Sequence, residues 1–325
     1  MKGAGMESGI PFLPEEIITD ILKRLSVKSL HRCQSVCHLW RNLIKVPSFI
    51  IDHLNRSNQQ IPSLITRFRG TSKLNSLDLD MVLHEVQDGP PIYIIGASKI
   101  VCSCNGLLCV EIRLSRPPIP PTLSIWNPAI GEYMQVPTIR RVNADVSNYH
   151  LSFGFRPFVN VYKIVLICEV LGEVVVGVQV YSLTTNSWKD IEFGNLEGKC
   201  WFHQSITVNG SVFWYVTNEM PFDVFDLTSV IVLFDLAMEE FKLIAPPPGL
   251  SRMGEGMPTV YENKLALIYS YDSRISKNAW IDLWVMEHCI GASWTKKFTF
   301  GPYPRIMQPM TLCMNQCSSH WSASI

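Results

Sequence analysis

The side chains that could act as nucleophiles, acid-base groups or metal ligands are ten cysteines, eight histidines and 28 Asp and Glu residues in a chain of 325. Cys200 and Ser205 lie close to His203, a combination that could supply a nucleophile and its base. The sequence contains no nucleophile elbow, no His-Glu-x-x-His motif and no pair of carboxylates arranged on a common helix for acid-base catalysis. We therefore predict no catalytic residues and no enzymatic activity.

The cysteines do not have the spacing of a metal site. Cys33, Cys37 and His38 are close together, but the two cysteines fall on an apolar helical face. Cys102-Ser103-Cys104 and residues 313–317 lack a second ligand pair at structural-zinc spacing. Without an apolar core of signal-peptide length near Met1, secretory disulfides are not expected. We predict reduced thiols, no metal and no cofactor.

Composition excludes other classes of protein. A chain that is 47% hydrophobic and 17% charged is globular rather than disordered. Its formal net charge is zero and no basic stripe alternates with aromatic residues, so no nucleic-acid partner is predicted. No run approaches about 18 uninterrupted apolar residues, so no membrane span is predicted. The expected location is the cytoplasm, with the nucleus as a second compartment.

Two amphipathic segments near the N-terminus are the elements that need a partner. In residues 13–25 the apolar positions recur at helical spacing, Pro14 suits a first turn, and Glu15 and Glu16 favour the positive end of a helix. A second helix is predicted with Ser29 as its cap, Pro47 as its stop and these apolar members: Leu30, Cys33, Val36, Cys37, Trp40, Leu43 and Ile44. So small a unit buries little surface, so part of its apolar face should dock elsewhere.

This segment resembles an F-box, through Leu13-Pro14-Glu15-Glu16-Ile17, Ile21 to Leu30 and Leu39 to Ile44. In that family the segment binds a Skp-type adaptor and joins the protein to a cullin-RING ubiquitin ligase. The net +3 charge of residues 1–60 would suit an acidic adaptor. The resemblance implies this adaptor face: Leu13, Pro14, Glu16, Ile17, Ile21, Leu22, Leu25, Val36, Cys37, Trp40 and Leu43. The alternative is a buried helical hairpin without an outside partner.

Beyond about residue 60 the pattern changes to short β-branched and aromatic runs bounded by turn residues. Aromatic residues that end strands recur at spacings of 55, 53 and 50: Trp126, Tyr181, Phe234 and Trp284. Each precedes a second aromatic residue: Tyr133, Trp188, Phe241 and Trp294. Asn105-Gly106, Asn209-Gly210 and Asn263-Lys264 share this period, and the first two predict tight hairpin turns. A period near 50 resembles a kelch-type propeller blade, with the aromatic residues in the core.

The same region resembles the F-box-associated domain of plant F-box proteins over about residues 95–312. The motifs that carry this resemblance are Cys102 to Cys109, Ile125 to Pro128, Phe153 to Phe155, Tyr162 to Val165, Val208 to Trp214 and Ser293 to Lys296. The segment from Leu283 to Pro302 looks most similar to the S-locus F-box group. That likeness would imply a secreted style ribonuclease as the target.

The predicted fold class is α+β multidomain, with a small all-α F-box followed by an all-β, kelch-like propeller domain. The expected boundaries are 10–50 for the F-box, 51–94 for a linker and first strands, 95–312 for the β domain and 313–325 for an irregular tail. Residues 313–325 show no strand alternation, so we expect a shortened chain with an incomplete closing blade and reduced stability.

The predicted function is substrate recognition in a Skp-cullin-F-box ligase. The alternative is a non-degradative binding module or an inactive, truncated paralogue. Target contacts are expected in the loops 113–121, 140–148, 218–226 and 272–278, which interrupt the repeat with charge and proline. The candidate target-binding residues are Arg116, Arg140, Arg141, Asp223, Asp272 and Arg274. The target itself is unknown.

Overall fold

The computed structural model describes residues 13–57, 64–67, 74–77, 83–85, 98–112, 119–140, 146–156, 161–170, 175–194, 199–219, 227–250, 255–272, 278–288 and 291–304. The chain divides into two compact units, Met1–Gln60 and Ile61–Ile325. The first is helical and the second is built of β-sheets. Most of 51–94, the tail 313–325 and its predicted incomplete blade lie outside the described residues.

The helical unit contains α1 (Glu15–Lys23), α2 (Val27–Cys33), α3 (His38–Lys45) and α4 (Pro47–Ser57). The Pro14 carbonyl accepts hydrogen bonds from the backbone N–H groups of Ile17 and Ile18, which starts α1 as its sequence predicts. Ser26 Oγ accepts the N–H of Ser29 at the start of α2. Side-chain caps of this kind satisfy backbone donors that a helix start leaves unpaired.

The single helix predicted around residues 30–44 is wrong, because the chain breaks at 34–37 into α2 and α3. Cys37 is the N-cap of α3, where its Sγ accepts the backbone N–H of Trp40, and it is exposed rather than on an inward apolar face. Ser29, which was predicted to be a helix cap, instead donates its backbone N–H to the cap residue Ser26. Pro47 ends one helix and also begins α4, where its fixed φ suits a first helical residue.

A small core holds the four helices together. Its buried members are Leu22, Leu30, Ile44 and Phe49. Two polar contacts join α4 to α1 and to the link that follows α1: Lys23 Nζ to Asp52 Oδ2 at 2.6 Å, and His53 Nε2 to the Leu25 carbonyl at 2.9 Å. The buried apolar side chains supply most of the stability, since an exposed ion pair contributes little.

The described strands of the β unit form one three-stranded and four four-stranded antiparallel sheets. The three-stranded sheet contains β1 (Leu64–Arg67), β2 (Leu74–Leu77) and β3 (Leu83–Glu85). The first four-stranded sheet contains β4 (Ser98–Cys104), β5 (Leu107–Ile112), β6 (Thr122–Asn127) and β7 (Glu132–Gln135), and the second contains β8 (Asn148–Arg156), β9 (Val161–Glu169), β10 (Val175–Ser182) and β11 (Ser187–Ile191). The third contains β12 (Lys199–Val208), β13 (Ser211–Glu219), β14 (Leu227–Asp235) and β15 (Glu240–Ile244), and the fourth contains β16 (Glu255–Tyr261), β17 (Lys264–Asp272), β18 (Asn278–His288) and β19 (Ser293–Pro304).

The first strands of successive four-stranded sheets contact each other, in the order β4, β8, β12 and β16. Ser152 Oγ contacts Ser205 Oγ, and further along, Arg156 Nη1 contacts the Asn209 carbonyl. The residue numbers increase in the same direction along β8 and along β12. These two strands therefore run in the same direction. Neighbouring sheets that meet through their first strands are the arrangement of propeller blades, which confirms the predicted fold class.

Apolar layers fill the spaces between adjacent blades. One lies between the first and second sheets, one between the second and third, and one between the third and fourth. The recurring aromatics Trp126, Tyr181 and Phe234 are fully buried, as predicted. Tyr133 is an exception, because its side chain on the outermost strand β7 is 53% exposed.

The strand register confirms the repeat and corrects it in one blade. Trp126 is paired with Tyr133, Tyr181 with Trp188, and Phe234 with Phe241. In the fourth sheet, however, Trp294 is paired with Met286, so Met286 and not Trp284 is the equivalent residue. Met286 follows Phe234 by 52 positions, closer to the period than the 50 of Trp284.

The hairpin turns show the same periodicity. Asn105 and Gly106 have φ of 50° and 77°, and Asn209 and Gly210 have 50° and 76°. Two successive positive φ values define the tight turns predicted for these pairs. In the fourth sheet the two turn residues are Glu262 and Asn263, so Asn263 occupies the position that Gly106 and Gly210 hold, one place later than the sequence repeat suggested.

The second aromatic of three blades secures the connection that arrives from the preceding blade. The contacts are Trp188 Nε1 to the Pro137 carbonyl at 2.8 Å, the Phe241 ring to the Phe193 ring at 4.7 Å, and Trp294 Nε1 to the Ala245 carbonyl at 2.9 Å. Pro137 follows β7, Phe193 follows β11 and Ala245 follows β15. In these three blades the repeated aromatic position therefore joins the blade to the one before it.

Replacing Trp188 by Phe should lower the free energy of unfolding by more than the about 0.5–1.5 kcal/mol of a lost hydrogen bond, because the Pro137 carbonyl loses its donor and the buried indole is also replaced by a smaller ring. Chemical denaturation of the full chain measures this difference. Tyr133→Phe is the matched control, since Tyr133 is exposed. Equal losses in the two variants would show that the indole N–H makes no specific contribution.

Candidate protein-binding surfaces

Helix α1 presents a second apolar stripe that points away from the core of the helical unit. Leu13, Ile17 and Ile21 are four residues apart and are 55%, 48% and 46% exposed. Ile17 and Ile21 lie one turn apart on one face of α1, and the exposed Leu13 and Pro14 directly precede the helix. We call Leu13, Pro14, Ile17 and Ile21 the outer stripe. Side chains of this kind usually mark a surface that binds another protein.

Two further predicted adaptor residues lie at the start of α3. Val36 and Cys37 are both exposed, and the Cys37 Sγ accepts the Trp40 N–H at 3.5 Å. Glu16, in the first turn of α1, is exposed as well, and its charge is favourable at the positive end of the helix. These three residues are accessible to a partner.

The other predicted adaptor residues face inward. Leu22 is 1% exposed and belongs to the buried core, while Leu25, Trp40 and Leu43 are partly buried against that core. The placement of Leu22 on the adaptor face therefore needs correcting, because a side chain enclosed by its own unit cannot contact a partner. It supports the outer stripe from beneath.

All four loops predicted to contact a target join strands on the same side of the β unit. In each four-stranded sheet the chain runs up and down in order, so links after the second and fourth strands emerge on one side. The links that contain 113–121, 140–148, 218–226 and 272–278 are all of this type. We call this side the loop face. On the opposite side β4–β5, β12–β13 and β16–β17 join through two-residue turns.

Of the six residues predicted to bind a target, the structure describes the side chain of one. Arg140 is exposed and lies 3.8 Å from Asp190, between its Nη1 and the carboxylate Oδ2. Asp272 is the last residue of β17, and only its backbone is described. Arg116, Arg141, Asp223 and Arg274 lie outside the described residues. A weak, exposed ion pair leaves Arg140 available to exchange partners.

The nucleophile candidates are not assembled into a catalytic group in the described contacts. Ser205 Oγ accepts the Ser152 hydroxyl at 2.7 Å, and His203 Nε2 contacts Thr217 Oγ1 at 3.1 Å. The side chain of Cys200 lies outside the described residues. Burial raises the pKa of the Cys168 thiol to about 12, so Cys168 is not a ready nucleophile.

In the described part of the chain, no group of three or more His, Cys, Asp or Glu side chains is arranged to hold a metal ion. None of the described helices combines the length and the apolar character needed to cross a lipid bilayer.

Glu239 ties the second sheet to the third on the side opposite the loop face. Its Oε1 accepts from Lys163 Nζ at 2.8 Å and its Oε2 from Lys189 Nζ at 2.7 Å. Burial alone would raise the pKa of Glu239, but the hydrogen bonds and charges of the two lysines outweigh it and lower the pKa below its ordinary 4.5. The ionised carboxylate is thus stabilised in the folded state.

Glu239→Gln should therefore lower the melting temperature at pH 7, and this loss should shrink as the pH falls below 4.5. A carboxylate whose pKa is depressed on folding contributes its full stability above the ordinary value and loses it as the pH falls through the folded value. Melting temperatures of both proteins between pH 7 and 3 test this. A difference that does not change with pH would contradict the assigned role.

Comparisons with known proteins match both units. The profile of the F-box domain matches residues 10–52, and that of the F-box associated beta propeller domain matches residues 74–320. The F-box protein CPR1 of Arabidopsis thaliana is 29% identical over 88% of this chain and 72% of its own length. An F-box/kelch-repeat protein of the same plant is 25% identical over 86% and 72%.

Two solved structures resemble part of the chain. An oligogalacturonate lyase from Vibrio parahaemolyticus has a TM-score of 0.42 and 13% identity over 69% of this chain and 59% of that one. The α-L-arabinofuranosidase Arb93A from Fusarium graminearum has a TM-score of 0.40 and 10% identity over 59% and 63%. Neither likeness is close enough to say anything about activity.

An F-box unit followed by a β-propeller unit defines an F-box protein of the substrate-recognition class. This chain belongs to the family of plant F-box proteins that carry an F-box associated propeller domain. Its grouping with S-locus F-box proteins stays a prediction.

Proposed function

We propose that this protein is the substrate-recognition subunit of a Skp-cullin-F-box ubiquitin ligase. The observation that carries the proposal is the outer stripe, an exposed row of apolar side chains on the F-box unit. The larger unit of the chain is a propeller, and it has the loop face as a second surface. One surface binds the ligase and the other binds the target. Ubiquitin transfer itself is carried out by the partner proteins.

The outer stripe is proposed to bind a Skp-type adaptor through Leu13, Pro14, Ile17 and Ile21. Val36, Cys37 and Glu16 lie at exposed positions that extend this contact, and the inward residues Leu22, Leu25, Trp40 and Leu43 keep the helices in place beneath it. Apolar anchors that become buried on binding carry most of the affinity of such interfaces. The excess of basic over acidic residues in 1–60 favours an acidic adaptor by charge complementarity.

The loop face is proposed to bind the target protein. Its connections are the longest of the propeller and vary in charge, while the strands beneath them are buried and regular. Binding residues commonly sit on loops that a rigid scaffold positions. Arg140 is the described candidate. A secreted style ribonuclease is one target class, proposed only from the resemblance to the S-locus group.

The test is to express the full chain with its loop-face connections intact or exchanged for those of a paralogue, together with adaptor, cullin and RING protein, and to measure ubiquitination of the proteins that bind each version. The proposal expects the set of ubiquitinated targets to change with the loops. Targets that stay the same after exchange would contradict the loop face. Targets that bind but are never ubiquitinated would instead support a non-degradative binding module.

A further inference from the structure

Three cysteines lie together on the first hairpin of the propeller unit. Cys102 and Cys104 are on β4 and Cys109 is on β5, next to the layer between the first and second sheets. Cys102 and Cys109 are Cα partners across the hairpin, so their side chains lie on the same face of the sheet. These cysteines belong neither to the outer stripe nor to the loop face.

The strand register brings the Cys102 and Cys109 backbones to a distance that a disulfide can bridge. The turn Asn105-Gly106 has two residues, so Cys104 and Leu107 form the hydrogen-bonded pair that closes it. Pair types alternate from this closing pair as far as Cys102 and Cys109, before the register shift between Ile100 and Cys102, so these two cysteines form a hydrogen-bonded pair with Cα atoms roughly 5.5 Å apart. Disulfides span Cα distances of about 4.4–6.8 Å.

We propose that Cys102 and Cys109 are a redox-active pair that forms a reversible disulfide on exposure to a peroxide. Both S–H bonds break and one S–S bond forms, while the peroxide O–O bond takes up the two electrons and two protons and yields two molecules of water in the case of hydrogen peroxide. Cys104 faces Leu107 across the ladder, so it is a worse-placed partner for Cys109.

The surroundings of the pair determine how fast it reacts. Cys109 is fully buried, and burial raises the pKa of Cys102 well above its ordinary value, an effect that the neighbouring thiols reinforce. The thiolate is the reactive form, so oxidation should be slow at neutral pH and accelerate as the pH rises. Hydrogen-bonded cross-strand pairs hold their Cβ atoms farther apart than a relaxed disulfide does, which makes the bond easier to reduce.

The experiment treats the folded full chain with hydrogen peroxide, blocks remaining thiols and maps the link by mass spectrometry. One tryptic peptide, residues 100–113, contains all three cysteines. Hydroxylamine cleaves the Asn105–Gly106 bond of this peptide, so its two halves stay together only if Cys109 is linked to Cys102 or Cys104. We expect linked halves in the wild type and in Cys104→Ser, separate halves in Cys102→Ser, and reversal by glutathione.

Cys168→Ser is the matched control, because Cys168 is buried in the same layer but on β9. It should leave the link unchanged. Separate halves in the wild type, or linked halves in Cys102→Ser, would overturn the assignment. Should Cys102→Ser fail to fold, the wild type and Cys104→Ser still decide the question, since a link that disappears in Cys104→Ser assigns the bond to Cys104.

Discussion

Replacing Ile17 by Asp, or Leu13 and Pro14 together by Ala, is expected to abolish binding to a Skp-type adaptor while the propeller unit stays folded. Leu13 and Ile17 are about half exposed in the free protein and would become buried in the complex. Each apolar anchor lost from such an interface costs about 2 kcal/mol or more, which is roughly a thirtyfold loss of affinity. A buried Asp charge would cost more still.

The Ile17→Asp variant separates binding from folding. Ile17 is the third residue of α1, where a negative charge interacts favourably with the helix dipole, so the helix should persist. Val27→Asp is the matched control, because Val27 is also exposed and is the first residue of α2, outside the predicted adaptor face. Affinity measured by calorimetry should fall for Ile17→Asp and not for Val27→Asp. Equal losses in both would point to a general charge effect.

Leu22→Ala should unfold the F-box unit or leave it only marginally stable. Leu22 is fully enclosed among Leu30, Ile44 and Phe49, and deleting a buried leucine side chain costs about 2–5 kcal/mol. A unit of this size has little stability to lose. Ile21→Ala, at the neighbouring exposed position, should cost less than about 1 kcal/mol because no cavity forms.

Hydrogen exchange of the full chain, followed by mass spectrometry, measures this contrast in residues 13–57 separately from the propeller. Leu22→Ala should lose protection there and Ile21→Ala should keep it. Similar protection in the two variants would show that the inward and outward faces of α1 have been assigned the wrong way round.

The sequence predicted α1 well but could not distinguish its two apolar faces. Ile17 and Ile21 follow the same helical spacing as Ile18 and Leu22, and only packing against Phe49 and the later helices decides which row is enclosed. A periodic pattern reports that a face is apolar, not what covers it. The adaptor prediction therefore mixed outward residues with core residues.

The break between α2 and α3 was missed for a similar reason. Cys33, Val36, Cys37 and Trp40 continue a helical spacing through the turn, and cysteine is not among the residues that usually mark an N-cap. Helix α4 was missed because Pro47 was interpreted only as a stop, although proline is also common at a first helical position.

The propeller was more predictable because its signals are local and repeated. A two-residue Asn-Gly turn fixes its own hairpin, and the aromatic pairs Trp126–Tyr133 and Tyr181–Trp188 face each other directly across other hairpins, whose turns have four residues. The fourth blade departed from prediction because strand β19 pairs with β18 through several register shifts, so that sequence spacing no longer gives the partner. The order of the strands determines which loops lie on the loop face, whereas the identity of the target depends on the side chains of those loops.

The central claim is that the F-box unit of this chain joins a ligase, and its most direct test is size-exclusion chromatography of the purified full chain with a purified Skp-type adaptor and the N-terminal half of a cullin. The account predicts that all three proteins co-elute as one complex, and that Ile17→Asp elutes separately from the other two. Separate elution of the wild-type chain under conditions where adaptor and cullin bind each other would contradict it.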